Sequence, residues 1–245
     1  MIEIKLDDNI GNLLKTSIPN WENLGNKIAN TSIYANNDIL NTALVTTKFK
    51  LEAAHMYLCT LNQAYGLTPS HATQFLKRAM TENILFSLGS GLDALAHVIN
   101  QIYGFNIDFH RVQIDHHRPT QNNEGDCIRC KLDNLNNDNL SKYLNTELPR
   151  SPIPKEHWYA AFTQYRNQVA HRTLYLICLT AEGLYLPDDP TNLNPLVKPF
   201  FDANRHEIIV PNYTQNRELI QYFQSHFDNV LSIVEKTYEL MVDKI

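Results

Sequence analysis

Arg166, Asn167 and His171 are the residues in this chain whose types and spacing suit chemistry on a phosphodiester. A neutral imidazole titrates near neutrality, so His171 can take a proton from a ribose 2′-hydroxyl and help return one to the leaving oxygen. Arg166 stays charged, and its planar fork of donors matches the crowded oxygens of a phosphoryl transition state. Asn167, one helical turn before His171, can orient the imidazole or a phosphate oxygen. The neighbouring Arg172 disfavours a protonated His171 and keeps it available as a base. Such cleavage needs no metal and no cofactor.

The charge around these residues differs from that of the chain. The whole sequence carries a formal net charge of −5, so no global basic field advertises nucleic acid. Between positions 150 and 172, however, Arg150, Lys155, Arg166 and Arg172 face only Glu156, a local net of +3. Arg150, Lys155 and Arg172 are therefore the candidate RNA-binding residues beside the candidate catalytic group.

With Trp158 as reference, Phe162, Tyr165, Val169 and Leu176 fall within about 40° on a helix, an apolar stripe. Arg166 lies on its shoulder at roughly 80°, and Asn167 and His171 lie near 180° and 220°. Ala160, Thr163 and Ala170 share that outer half. A polar pair amid small residues suits close approach by a second helix, and a second copy of the chain is the expected supplier.

Arg166-Asn167-Gln168-Val169-Ala170-His171 resembles the Arg-(four to six residues)-His motif of the HEPN superfamily, with the Asn often found after the Arg. The resemblance covers six residues and a position on a helix late in a helical chain. It implies a helical bundle and a metal-independent endoribonuclease acting as a homodimer, with Arg166, Asn167 and His171 of two copies lining one cleft. It further implies a place in toxin–antitoxin or phage-defence systems, with an antitoxin protein as a possible partner. The alternative it leaves open is a non-catalytic HEPN-like module that binds nucleotide, RNA or a protein. In the branch paired with a nucleotidyltransferase antitoxin, a Tyr often stands two residues after the His; here Thr173 does, and Tyr175 comes later.

Weaker groupings remain. Asp93 and His97 are one turn apart on a helix and form an auxiliary acid–imidazole candidate, against the plainer reading of a solvated pair. Cys127-Ile128-Arg129-Cys130, with His116 and His117 upstream, offers four zinc-type ligands, but no second Cys pair exists. Two free thiols are the favoured reading, and no metal site is assigned. No Walker loop, Rossmann glycine fingerprint or serine elbow occurs.

The elements that must hold these groups follow from periodicity. The chain has 245 residues, 43% hydrophobic and 19% charged, enough for one substantial core. A first long helix is expected from about Asp38 to Tyr65, on Leu40, Leu44, Leu51, Ala54, Leu58 and Leu61. A second should run from an N-cap at Ser70 to Tyr103, ended by Gly104, with a stripe that includes Phe75, Leu85, Leu88, Leu92, Leu95 and Ile99. Gly89 and Gly91 weaken it unless a neighbouring backbone comes close. The third helix follows Pro154, and the last carries Phe223, Phe227, Val230, Val234, Tyr238 and Met241.

The expected fold class is thus mainly α: a bundle of four long helices with an irregular insert and a small β-hairpin. Residues 1–38 form an N-terminal extension, and 39–245 the helical domain. Within the latter lie the insert, 104–153, with a short helix near Asn139–Asn145, and the hairpin region, 175–213, with a Glu182-Gly183 turn and a further strand candidate at 206–213. The acidic N-terminus shows no secretory signal, no apolar run has the length of a membrane span, and a cytoplasmic protein is expected.

Overall fold

The computed structural model describes residues 19–31, 36–65, 67, 70–114, 127–135, 137–149, 157–160, 162–163, 166, 178–180, 183–185 and 219–245. Helix dominates them. In chain order the elements are α1 (Pro19–Asn30), α2 (Asp38–Tyr65), α3 (His71–Tyr103), α4 (Ile128–Asp133), α5 (Asn139–Glu147), β1 (Cys178–Thr180), β2 (Gly183–Tyr185) and α6 (Leu219–Val242). A 3-10 turn covers Phe109–Arg111. Residues 158–160, 162–163 and 166 are also helical, and these represent the expected third helix. Among the described residues, no helix is long and apolar enough to cross a membrane.

Local chemistry sets the ends of α3. Ser70 Oγ accepts from the Thr73 amide at 3.2 Å, and Thr73 Oγ1 accepts from the Ser70 amide at 2.7 Å. These reciprocal bonds satisfy amides that a helix start leaves bare. At the other end Gly104 takes φ +62°, a left-handed backbone that residues with a side chain rarely adopt. The Phe105 amide then reaches the Asn100 carbonyl at 3.1 Å and the Gly104 amide reaches Gln101 at 3.3 Å, a Schellman closure.

Contacts divide the chain into two compact units. The first comprises Met1–Glu52, Leu88–Arg150 and Asn229–Ile245; the second comprises Ala53–Ser87 and Ser151–Asp228. The three long helices contribute a part to each.

In the first unit α1 buries Leu24 and Ile28 completely or nearly so. The Trp21 indole donates to the Leu44 carbonyl at 3.2 Å, and Lys27 Nζ donates to the Val242 carbonyl. Lys48 lies over the Trp21 ring at 4.3 Å. The core of this unit adds Leu40, Leu44, Leu92, Leu95, Ile99, Val230, Val234 and Met241.

The insert is less irregular than expected, with α4 unforeseen and α5 on the short helix expected near Asn139–Asn145. Its described part folds into α4 and α5 and buries Cys127, Ile128, Leu132, Leu140, Leu144 and Leu148. Apolar residues four apart give each short helix one inward edge. Asp138 caps α5 by accepting from the Ser141 amide at 3.0 Å. It also accepts from the Tyr103 hydroxyl at 3.3 Å.

In the second unit the buried side chains include Ala54, Leu58, Leu61, Ile84, Leu85, Phe162, Tyr222, Phe223 and Phe227. Here the stripe expected on α3 fails in its first turns. Phe75 is 75% exposed, whereas Thr73, Lys77 and Thr81 are buried. Phe75 lies about 200° from Thr73, so whichever edge faces inward excludes it. β1 and β2 pair antiparallel, with Cys178 opposite Tyr185 and Thr180 opposite Gly183. The expected Glu182-Gly183 turn is described only at Gly183, and the strand candidate at 206–213 lies outside the described residues.

Candidate functional site

Arg166 belongs to the second unit and follows the helical residues that begin at Trp158. The start of that helical stretch is set by His157, whose Nδ1 accepts from the Tyr159 amide at 3.2 Å while its carbonyl accepts from Ala160. Phe162 is fully buried and Tyr159 and Ala160 nearly so, while Trp158, Thr163 and Arg166 are half-buried. The inward side is therefore centred near Tyr159, roughly 100° round from Trp158. Two expectations change accordingly. Trp158 marks the edge of the inward side and not its middle. Ala160, assigned to an outer face awaiting a second copy, is 3% exposed within one chain. Its methyl is already covered, and the small-residue argument for dimerisation loses that member. Arg166, about 80° from Trp158, lies on the inward side of this stretch and is half-buried.

Against Trp158 and Phe162 stands His226 of α6, a group that the motif search passed over. Ring centroids lie 5.9 Å from Trp158, 5.7 Å from Phe162, 6.5 Å from Phe223 and 4.3 Å from Tyr222, the last at 86°. His226 is 2% exposed, and neither ring nitrogen has a hydrogen-bond partner among the described residues. Burial drives its pKa down to about 3, so the ring is neutral at physiological pH. The signal was its place in the stripe, three residues after Phe223 and four after Tyr222. Nearby in sequence, Phe227 stacks on His55 at 5.2 Å and 24°. Burial also lowers the His55 pKa, and Asp228 opposes that.

Lys77 is a further buried polar residue of this unit that periodicity missed. It is 3% exposed, between Thr73 and Thr81 on one edge of α3, and burial lowers its pKa.

Asp93 and His97 lie in the first unit, on α3. The His97 ring sits 4.6 Å from Phe109, and its buried Nδ1 has no hydrogen-bond partner among the described residues. Desolvation lowers the His97 pKa, with the charge of Asp93 pulling the other way. Phe109 itself is 58% exposed. Asn167, His171, Arg150, Lys155 and Arg172 lie outside the described residues, as do His116 and His117. Arg166 is thus the one member of the Arg…His motif whose surroundings are on view.

Cys127 and Cys130 are thiols, the first fully buried and the second half-buried. Among the described residues, no group of three or more His, Cys, Asp or Glu has the arrangement of a metal site.

No family model, curated protein or solved structure matches the chain.

Proposed function

We propose that this chain is a HEPN-like helical protein that acts on RNA as a metal-independent endoribonuclease. In this reading His171 is the proton-transfer group, Arg166 stabilises the charge on the phosphoryl oxygens, and Asn167 orients one of them. Arg150, Lys155 and Arg172 hold the flanking phosphates. The 2′-hydroxyl attacks phosphorus as His171 takes its proton. The P–O5′ bond breaks, and the products carry a 2′,3′-cyclic phosphate and a 5′-hydroxyl.

The observation that carries this reading is the Arg166-Asn167-Gln168-Val169-Ala170-His171 run, whose first residue is helical and half-buried. A group needed in a transition state works best when its stem is fixed in advance, and Phe162, one turn before Arg166, is fully buried. A homodimer with a composite cleft, a cytoplasmic role in toxin–antitoxin or phage defence, and an antitoxin partner belong to the same proposal.

The deciding experiment is a gel assay of RNA cleavage with EDTA present, comparing wild type with His171→Ala. Loss of cutting in the variant supports the reading. Binding of RNA without cutting by the wild type supports the non-catalytic alternative, and normal cutting by the variant removes His171 from the site. Sedimentation of the same samples tests the dimer.

A further inference from the structure

The N-terminus of α4 accounts for every one of its early amides. The Ile128 amide donates to the Gln113 carbonyl at 3.1 Å and the Arg129 amide to the Ile114 carbonyl at 3.2 Å. The Cys130 amide donates to Cys127 Sγ at 3.2 Å, and the Lys131 amide makes the first helical bond, to the Cys127 carbonyl at 3.0 Å. Cys127 is therefore the N-cap, with extended backbone at φ −110° and ψ 156°. Capping alone does not explain a cysteine there. Sulfur is a weak acceptor, and Ser, Thr, Asp or Asn would hold the same amide more strongly.

What a cysteine adds at this position is a second sulfur one turn from the first. An N-cap residue and the residue three further on lie about 5 Å apart at Cα on helix geometry. Disulfides span Cα separations of roughly 4.4–6.8 Å. The Cys127 sulfur already lies over the backbone of Cys130. The flanks are firm: Ile128 is fully buried, and Arg129, 2% exposed, donates to Asn145 Oδ1 from Nη2 at 2.7 Å and from Nε at 3.3 Å. The two thiols also differ in access. Cys127 is 0% exposed and Cys130 half-buried, the arrangement of a resolving thiol behind an attacking one.

We propose that Cys127 and Cys130 are a redox couple that closes an intramolecular disulfide when the protein meets a small-molecule disulfide. The Cys130 thiolate attacks one sulfur of the oxidant, breaking its S–S bond, forming a mixed disulfide and releasing one thiolate. The Cys127 thiolate then attacks the Cys130 sulfur, forms the internal S–S bond and expels the second thiolate. The two protons given up by the cysteines end on the two released thiols. The protein dithiol is oxidised by two electrons and the small disulfide is reduced by two.

The test uses the full-length folded protein, first treated with EDTA, then incubated with oxidised glutathione, quenched in acid, alkylated and read by intact mass and peptide mapping. The wild type should lose two hydrogens in the peptide that holds Cys127 and Cys130, without accumulating a glutathione adduct. Cys127→Ser should stop at a glutathione adduct on Cys130. Serine is a good N-cap, so the variant should keep the wild-type circular dichroism spectrum. Cys130→Ser should leave Cys127 reduced in the folded state, because its sulfur is buried. A wild type that stays reduced, or that ends as a stable adduct, overturns the couple. Reaction of Cys130→Ser as fast as wild type overturns the order of attack.

Discussion

The imidazole of His226 stands on the ring of Tyr222 at 86°, with the centroids 4.3 Å apart. A perpendicular pair sets the edge of one ring against the face of the other, the weak substitute for a hydrogen bond that an aromatic enclosure offers. It does not stabilise a charged imidazole enough to offset its loss of water. The folded-state pKa therefore falls from 6.5 to about 3. Between those values the unfolded chain binds a proton that the folded chain does not. Stability must then fall as pH drops through this window, by about 1.4 kcal/mol per unit from this residue. The partial lowering at His55 acts in the same direction. Urea titrations from pH 7.5 to 4.5 should show the slope, and His226→Phe should flatten it.

The same substitution should raise stability at pH 7. It removes two buried ring nitrogens without hydrogen-bond partners among the described residues, each costly to desolvate, and keeps an aromatic ring in an aromatic site. Some overpacking works against this, so a gain of ~1 kcal/mol is expected. A loss would mean that overpacking outweighs the relief of the two ring nitrogens, and the expected gain would be wrong.

Gly91 gives a second stability prediction. A methyl there would meet Lys50 Cβ at 3.7 Å and Leu51 Cδ2 at 3.8 Å, both ordinary contact distances. The close backbone approach that would justify a helix-interior glycine is absent at this position. Gly91→Ala should stabilise the protein by ~0.5–1 kcal/mol through the unfolded chain's lost freedom, read as a higher midpoint in urea.

Asn145 joins the two short helices of the insert. Its Oδ1 accepts from Arg129, and its Nδ2 donates to Asp133 Oδ1 at 2.7 Å, where the Ser141 hydroxyl also donates at 2.6 Å. Asn145→Ala takes an acceptor from a buried guanidinium and should cost about 1.5–3 kcal/mol. Thr146→Ala is the control. That exposed hydroxyl bonds only its own helix carbonyl among the described residues, at 3.1 Å from Lys142, so its loss should change stability by less than about 0.5 kcal/mol.

The ends of the long helices were legible because the signals that set them are local. Asp38–Tyr65 matches the expected span of α2, and the Ser70 cap and Gly104 stop of α3 depend on residues within a few positions. α4 was harder to see, since six residues give too few turns for a period to emerge, whereas the nine residues of α5 were expected as a short helix. The inversion of Phe75 and Lys77 was not legible at all. Which edge of α3 faces inward is decided by what lies against it, and both edges carry apolar residues. At the candidate site the sequence supplied Arg166 through its spacing to His171. His226 was hidden by type: a histidine inside an apolar stripe carries no motif, and its enclosure depends on Trp158 and Phe162, sixty or more residues earlier in the chain.

The proposed chemistry makes distinct demands on Arg166 and His171. A neutral imidazole adds little attraction for bound RNA, so His171→Ala should leave affinity nearly unchanged while cleavage falls by on the order of 10²–10⁴. Arg166→Ala removes a cation as well as a transition-state partner. It should lose cleavage, bind RNA more weakly and show a shallower dependence of affinity on salt, because one fewer phosphate contact releases counterions. Arg166 is half-buried, so truncation also removes side-chain atoms that are partly out of water. Arg166→Lys separates the two effects. It keeps the charge and most of the stem but lacks the planar fork, so binding and its salt slope should recover while cleavage stays low. Electrophoretic mobility shifts at several salt concentrations, run beside the cleavage gel with EDTA, read both quantities. Recovery of full cleavage by Arg166→Lys would show that only the charge matters, and the bidentate role assigned to Arg166 would have to be given up.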